Sequence, residues 1–160
     1  MQPYGGFWWR ALAYFIDAII LYIGSMVLMM ILGIGTAFSS LAGEQAQIAA
    51  AMSMGFAMLA VSLIGNWLYF ALMESSSLQA TVGKLAVGVV VTDQNGKRIS
   101  FGRATGRYFA KILSGMLLLI GYIMVAFTER KQGLHDLIAG TLVWKTRDPS
   151  SLVPHEDVFA

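Results

Sequence analysis

The sequence predicts an all-α membrane protein with three main apolar helices and a small cytoplasmic β-hairpin. Of its 160 residues, 57% are hydrophobic and 12% are charged, whereas soluble domains carry about 25% charged residues. The apolar residues also form long runs instead of recurring at amphipathic spacing. Such a chain has too few charges for a surface that faces water, so we expect lipid to surround it.

Three apolar runs predict the helices, and they lie at about residues 7–35, 48–73 and 105–128. A helix that crosses a bilayer needs about 20 apolar residues, and the first two runs exceed this length. The third is free of charge only from Ile112 to Thr128, so it spans only if the basic residues before it continue the helix into the headgroups. Gly115 and Gly121 offer an alternative, in which this segment bends and returns as a re-entrant hairpin.

The connection between the second and third helices contains a predicted β-hairpin. Two β-prone runs flank Asn95-Gly96, a dipeptide typical of hairpin turns, which places the hairpin at about residues 87–101. The run at residues 140–146 is also β-prone, and it can pair with the hairpin only if both lie on one side of the membrane. We expect residues 1–146 to form one transmembrane domain and residues 147–160 to form a flexible polar tail.

The distribution of basic residues predicts the orientation in a bacterial-type inner membrane. Short loops rich in Lys and Arg stay in the cytoplasm. The connection at residues 74–111 is strongly basic, whereas residues 36–47 contain neither Lys nor Arg. The N-terminus and the basic connection are therefore predicted to be cytoplasmic. The tail is left open, since three crossings place it outside whereas its basic residues and its β-prone run favour the inside.

The basic residues of the inner connection are predicted to face anionic lipid headgroups. They are Lys97, Arg98, Arg103, Arg107 and Lys111. A net charge of +2 is too small to indicate a nucleic-acid partner. We therefore expect membrane lipids as partners, and either further copies of the chain or a larger membrane assembly.

Polar residues within the apolar helices are the candidate functional residues. Asp17 lies roughly 12–14 Å along the first helix from its aromatic start, and a carboxylate at that depth needs partners. Asn66 is predicted at a similar depth in the second helix, and Tyr14 lies one turn before Asp17. This polar layer of Asp17, Asn66 and Tyr14 is either a hydrogen-bonded clamp between helices or part of a pathway for an ion or substrate.

Three blocks of the sequence resemble the signature blocks of the RDD family of small integral membrane proteins. They are WWRALAYFIDAIIL from Trp8, SLQATVGKLAVGVVVTDQNGKRISFGRATGR from Ser77, and KQGLHDLIAGTLVWK from Lys131. The family is named for one arginine and two aspartates, which correspond here to Arg10, Asp17 and Asp136. The resemblance implies a role related to transport, with some members proposed as cation–proton exchangers, or a role as a membrane subunit that docks partner proteins.

Two functions follow from these observations. In the first, oligomers form a transport pathway past Asp17, because three short helices enclose little space. In the second, Asp17 and Asn66 lock the helices while the hairpin and tail recruit a partner. If the tail is cytoplasmic, Asp136 is expected to pair with Arg10. His135 can titrate near neutral pH, but beside Asp136 it is more typical of a turn residue.

Enzymatic activity is not expected. The chain has no cysteine, which excludes disulfides, thiolate catalysis and cysteine-ligated metals. Gly83-Lys84 lacks the glycine and the hydroxyl residue that a phosphate-binding loop requires around it, and neither a zinc-protease motif nor a nucleophile elbow is present. We therefore predict no catalytic residue, no cofactor and no metal site.

Overall fold

The computed structural model describes residues 4–39, 41, 43–116 and 120–147. The helices are α1 (Phe7–Ser39), α2 (Glu44–Ala60), a π-helical segment (Val61–Gly65), α3 (Asn66–Ser75), α4 (Val82–Val87), α5 (Phe101–Met116), α6 (Ile120–Phe127) and α7 (Leu134–Ala139), and the strands are β1 (Val90–Asp93) and β2 (Thr141–Trp144). The chain divides into two compact units. The polar unit consists of Met1–Asp17 and Tyr69–Ala160, and the apolar unit of Ala18–Leu68.

Within the described ranges, two helical stretches are long and apolar enough to cross a membrane. They are Phe7–Ile34, with 28 residues, and Glu44–Ser75, with 32 residues, which comprises α2, the π-helical segment and α3. At 1.5 Å per residue, each exceeds the roughly 30 Å hydrocarbon core of a bilayer. Only 6% and 0% of their most apolar windows are buried, whereas neighbouring elements bury the core helix of a soluble protein. The first two predicted helices are therefore present as candidate membrane spans.

The third predicted span, at about residues 105–128, is not confirmed. Its described residues belong to α5 (Phe101–Met116) and α6 (Ile120–Phe127), and residues 117–119 lie outside the described part of the chain. With 16 and 8 described residues, neither element alone reaches the roughly 20 residues that a crossing requires. α5 contacts both α6 and α7, and all three belong to the polar unit. Gly115 lies in α5 and Gly121 in α6.

The predicted inner hairpin is wrong in its second strand. The turn at Asn95-Gly96 does form, since the Asp93 amide donates a hydrogen bond to the Lys97 carbonyl oxygen at 2.8 Å. The residues after this turn are not a strand, and the chain enters α5 at Phe101. The Asn-Gly signal is local and identifies the turn, but it carries no information about which segment pairs with β1.

The partner of β1 is β2, from the far end of the chain. The strands are antiparallel, with Val90 opposite Trp144 and Asp93 opposite Thr141. All four residues of β2 are buried, and Leu142 and Trp144 pack with Val90 in the core of this sheet. β2 therefore supplies apolar side chains that the polar segment before α5 lacks. Because β1 and β2 are hydrogen-bonded, β2 and the inner connection lie on the same side of any membrane. The side on which both lie remains a prediction.

The N-terminal segment before α1 also contacts this sheet. The Gly5 amide donates to the Val143 carbonyl oxygen at 2.8 Å, and the ring centroids of Tyr4 and Trp144 lie 4.7 Å apart. The Lys145 ammonium lies 3.7 Å from the Trp9 ring centroid, a distance typical of a cation–π contact. The beginning of α1 and the end of β2 are therefore fastened together within the polar unit.

Candidate functional site

Asp17 lies at the centre of a hydrogen-bonded group that we call the aspartate clamp, formed with Tyr69, Thr81 and Gly83. Asp17 is 1% exposed. Its Oδ1 accepts hydrogen bonds from the Tyr69 hydroxyl and from the Gly83 amide, both at 2.7 Å. Its Oδ2 accepts a bond from the Thr81 hydroxyl at 2.6 Å. These three bonds tie α1 to α3 and to the beginning of α4.

Gly83 is the point where α4 touches α1. Its amide is one of the free donors in the first turn of a helix, and it finds its acceptor in Asp17 instead of in its own helix. A Cβ atom at this position would lie 2.1 Å from the Ala13 carbonyl oxygen and 2.8 Å from the Asp17 Cγ atom. Any larger residue must therefore push the two helices apart, which explains the glycine.

The structure agrees only in part with the predicted polar layer of Asp17, Asn66 and Tyr14. Tyr14 is 68% exposed, so its grouping with Asp17 in a buried layer is wrong. The tyrosine that binds Asp17 is Tyr69 of α3, whose hydroxyl donates to Asp17 Oδ1. Asn66 is half-buried and belongs to the apolar unit, so its predicted role remains a prediction.

A second buried group, which we call the ion cluster, joins five helices of the polar unit. Its members are Arg10 of α1, Glu74 of α3, Lys84 of α4, Arg107 and Lys111 of α5, and Asp136 of α7. Four cations therefore surround two carboxylates, and each cation binds at least one of the two. The cluster holds together elements that are distant in the sequence.

Arg107 is the central member of the ion cluster. It is 1% exposed, and its Nε and Nη2 atoms donate to Asp136 Oδ1 at 2.9 and 2.8 Å. Its Nη1 atom donates to Glu74 Oε2 at 2.6 Å. Burial disfavours the guanidinium charge, but the attraction of Glu74 and Asp136 outweighs burial and raises the pKa of Arg107. A planar group with several donors is suited to bridging two carboxylates in this way.

Asp136 and Arg10 form the ion pair that the sequence analysis anticipated. Arg10 donates to Asp136 Oδ2, and its other donors bind the carbonyl oxygens of Gly5 and Lys131 at 2.8 and 2.6 Å. Asp136 also accepts the Gly133 amide at 3.1 Å and so caps α7. Burial opposes the ionisation of Asp136, yet Arg10 and Arg107 hold its pKa well below the usual range.

Lys84 connects the ion cluster to the aspartate clamp. Its ammonium binds Glu74, and its amide lies 3.4 Å from the hydroxyl oxygen of Thr81, which binds Asp17. Burial lowers the pKa of Lys84 to about 7, because the attraction of Glu74 only partly offsets burial and the repulsion from Arg107 and Lys111. The two groups are therefore adjacent in space, and Lys84 belongs to the chain of contacts between them.

His135 was interpreted as a turn residue, but it lies in the first turn of α7 and is buried. It is 3% exposed, and its Nδ1 atom lies 3.5 Å from the Ser114 hydroxyl oxygen. Burial, supported by the repulsion of the surrounding cations, lowers the pKa of His135 to about 3 against the attraction of Asp136. The imidazole is therefore neutral at physiological pH.

Two of the five residues predicted to face lipid headgroups lie elsewhere. Arg107 is buried in the ion cluster, and Lys111 binds Glu74 at 3.2 Å and lies 4.8 Å from the Phe70 ring centroid. Both residues are on the side of α5 that faces the two carboxylates, which the basic character of the segment alone did not reveal. Lys97, Arg98 and Arg103 are exposed, and their contact with lipid remains a prediction.

Several members of the two groups were missed in the sequence. Thr81, Gly83 and Lys84 lie within the block TVGK, which was examined for phosphate binding but not as the partner of a deep aspartate. Glu74 begins the connection at residues 74–111, and an isolated acid at the end of a long apolar helix and opposite a basic connection is a signal for a buried ion pair. Tyr69 was not identified as a partner of Asp17.

In the aspartate clamp and the ion cluster, buried polar atoms bind other groups of the protein. Across the described residues, no buried side-chain nitrogen or oxygen lacks a hydrogen-bond partner. Among the same residues, no group of three or more His, Asp or Glu side chains is placed to hold a metal ion. Chemically, the aspartate clamp and the ion cluster are therefore suited to fastening helices together.

The chain is similar to a small number of known proteins. A model of the RDD family matches residues 4–140, a range that includes the aspartate clamp and the ion cluster. The uncharacterized protein YxaI of Bacillus subtilis is 38% identical over 149 residues, which cover 89% of this chain and 98% of YxaI. The uncharacterized membrane protein YteJ of the same bacterium is 42% identical over 88 residues, or 51% of this chain and 49% of YteJ. No solved structure matches the chain significantly.

Proposed function

The chain belongs to the RDD family, and on that premise we propose that it is a non-catalytic membrane protein that docks a partner protein. Two candidate spans anchor it in the bilayer, in keeping with a relative, YteJ, that is described as a membrane protein. The polar unit then acts as a platform at the membrane surface, and the two buried polar groups keep that platform rigid.

The observation that carries this proposal is the full engagement of the buried carboxylates. A carboxylate in an ion pathway exchanges its protein partners for the transported ion. Asp17 instead accepts three hydrogen bonds of 2.6–2.7 Å, and Glu74 and Asp136 are each bound by at least two cations. This favours a structural clamp over a working site.

The exposed turn after β1 is the part of the platform that we propose for docking. Gln94, Asn95, Lys97 and Arg98 are exposed, while β1 before the turn and α5 after it are fixed by the sheet and by the ion cluster. A rigid frame that presents an exposed basic turn loses little conformational entropy on binding. Acidic side chains on a partner would complement Lys97 and Arg98.

A photocrosslinking experiment tests the docking role. Because the chain has no cysteine, an Asn95→Cys variant can be labelled at one site with a photoreactive maleimide in native membranes. The matched control is Glu129→Cys, an exposed position between α6 and α7 of the same unit. We expect one defined protein adduct from position 95 that disappears when Lys97 and Arg98 are both changed to Gln. Identical adduct patterns from positions 95 and 129 would refute docking at the turn.

A second candidate function, cation–proton exchange by an oligomer, is favoured by one observation. Lys84 has a pKa of about 7 and lies between Glu74 and the clamp of Asp17, so a proton can leave it near physiological pH. Under this alternative, gradient-driven flux depends on Lys84 and Asp17. A Lys84→Gln variant that keeps its fold and loses such flux would support it, and transport that is absent from the wild type removes it.

A further inference from the structure

α5 is an amphipathic helix whose polar side faces the protein interior. Its buried residues are Ala104, Arg107, Ala110 and Ser114. Its exposed large apolar residues, with exposed fractions from 40% to 75%, are Phe101, Phe109, Ile112, Leu113 and Met116. A surface helix of a water-soluble domain shows the reverse arrangement, so water is the wrong solvent for the outer face of α5.

The two faces of α5 are sharply separated around the helix axis. At about 100° per residue, the five exposed apolar side chains fall within an arc of about 120°. Arg103, Arg107 and Lys111 recur every fourth residue and therefore form a stripe on the other side of the helix. The outer arc contains no charged residue.

Other helices of the polar unit also expose apolar side chains. Leu137 and Ile138 of α7, which contacts α5, are exposed, and so are Val82 and Leu85 of α4. Exposed apolar surface on several helices of one unit is typical of a binding surface for a protein or a membrane.

We propose that α5 is an interfacial helix, which lies in the surface of the bilayer with Phe109, Ile112 and Met116 among the lipid acyl chains. Three observations favour lipid as the occupant. The polar unit contains the first residues of the candidate span Phe7–Ile34, so the chain itself holds the unit at a membrane. The described residues of α5 number 16, or about 24 Å, which is less than the roughly 30 Å of the hydrocarbon core. Exposed basic residues precede the apolar arc, and they complement anionic headgroups.

This inference concerns a different surface from the docking turn and does not depend on the proposed function. It also changes the interpretation of the third apolar run. Under this proposal, the part of that run in α5 lies in the membrane surface and does not cross the bilayer. The exposed apolar side chains within residues 101–116 and the inward position of Arg107 then both follow from the position of α5 at the membrane surface. The helix has lipid on one face and the ion cluster on the other.

Spin labelling of single-cysteine variants tests this placement. The full chain, naturally without cysteine, is labelled at position 109, 112 or 116 and reconstituted in vesicles of phosphatidylcholine and phosphatidylglycerol. Relaxation by oxygen, which concentrates among acyl chains, is compared with relaxation by a water-soluble nickel complex. Matched controls are labels at Asn95, in the exposed turn, and at Arg103, on the opposite face of α5.

We expect oxygen to dominate at positions 109, 112 and 116 and nickel to dominate at position 95. Position 103 is expected to show more nickel access than position 109, although both belong to one helix. Nickel access throughout would place the outer face in water and overturn the proposal. Low access to both reagents would place this face against a second copy or a partner protein and would equally overturn it. The substituted residues are exposed, so a matching thermal melt establishes that each variant is folded.

Discussion

Arg107 is the residue on which the ion cluster depends most. Removing it leaves Glu74 without a guanidinium and Asp136 with Arg10 as its remaining close cation among the described contacts. Breaking a buried ion pair by removing one partner costs about 3–5 kcal/mol. We therefore expect Arg107→Met to lower the free energy of unfolding by about this amount, measured by denaturant titration in detergent.

The control for Arg107 is Arg103, one helical turn earlier. Arg103 is exposed and lies 3.8 Å from Asp93, and exposed ion pairs contribute about 0–1 kcal/mol. Arg103→Met should therefore leave the unfolding curve nearly unchanged. Equal effects at positions 103 and 107 would show that the buried network does not stabilise the fold.

Gly83 and Gly102 form a second matched pair at the residue scale. A Cβ atom at position 83 meets the Ala13 carbonyl oxygen at 2.1 Å, whereas at position 102 it meets nothing within 4 Å. Gly83→Ala should separate α4 from α1, break the amide bond to Asp17 and destabilise the protein by about 1–3 kcal/mol. Gly102→Ala should be neutral or stabilising by up to about 1 kcal/mol. Melting temperatures of the two variants test this, and a neutral Gly83→Ala would contradict the close contact.

His135 predicts how stability depends on pH. Its pKa is about 3 in the folded protein and about 6.5 when unfolded. Between these values the unfolded chain binds a proton that the folded chain excludes, so stability falls as the pH falls from 6.5 towards 3. Asp136 adds a loss only below its unfolded pKa of about 3.8, because its folded pKa is depressed.

The pH window from about 6 to 5 isolates the histidine best, because it lies between the pKa of Lys84, about 7, and the ordinary carboxyl pKa of 4.5 from which that of Glu74 is lowered. In that window we expect the free energy of unfolding of the wild type to fall by up to about 1.4 kcal/mol per pH unit. The His135→Gln variant should lose most of this slope, as measured by denaturant titration at several pH values. Parallel slopes in the two proteins would mean that His135 is accessible to protons in the folded state.

At the scale of elements, β2 is the segment that binds the C-terminal part of the described chain to β1 and to the N-terminal segment. The Trp144 indole donates to the Thr92 hydroxyl at 2.7 Å, and its ring packs on Tyr4 and in the core of the sheet. Trp144→Ala should cost about 3–5 kcal/mol, whereas Trp144→Phe keeps most of the packing and should cost less. Limited proteolysis should cleave the Trp144→Ala variant faster than the Trp144→Phe variant. Equal rates of cleavage would contradict a packing role for Trp144.

The elements also show what can be inferred from the sequence. The two candidate spans follow from length and apolar composition, because membrane helices are selected by these two properties. The third run is not confirmed as a span, and counting apolar residues cannot reveal that Arg107 turns inward to acids on α3 and α7. The hairpin misleads for a related reason: Asn95-Gly96 specifies a turn locally, but the partner of β1 is β2, about fifty residues later in the chain.

At the scale of the whole molecule, the charged residues are concentrated in the polar unit, since Glu44 is the one Asp, Glu, Lys or Arg in the sequence of Ala18–Leu68. All the ion pairs described lie in the polar unit, and none of the described residues of the apolar unit is buried. Asp17 was identified from its depth in an apolar helix, and Arg10 and Asp136 were identified through the family resemblance. The pairing of Arg10 with Asp136 was expected for a cytoplasmic C-terminal segment. Glu74, Lys84 and Tyr69 were not identified, because their roles arise only when α3, α4 and α5 meet.

Proton flux in proteoliposomes tests most directly whether the buried carboxylates fasten the fold or move ions. Purified wild type and Asp17→Asn are compared under imposed gradients of sodium, potassium and lithium, and their melting temperatures are measured in parallel. We expect no gradient-driven flux from the wild type above that of protein-free vesicles, and a lower melting temperature for Asp17→Asn. Flux in the wild type that vanishes in a folded, inserted Asp17→Asn variant of unchanged melting temperature would contradict the structural role and establish Asp17 as a transport residue.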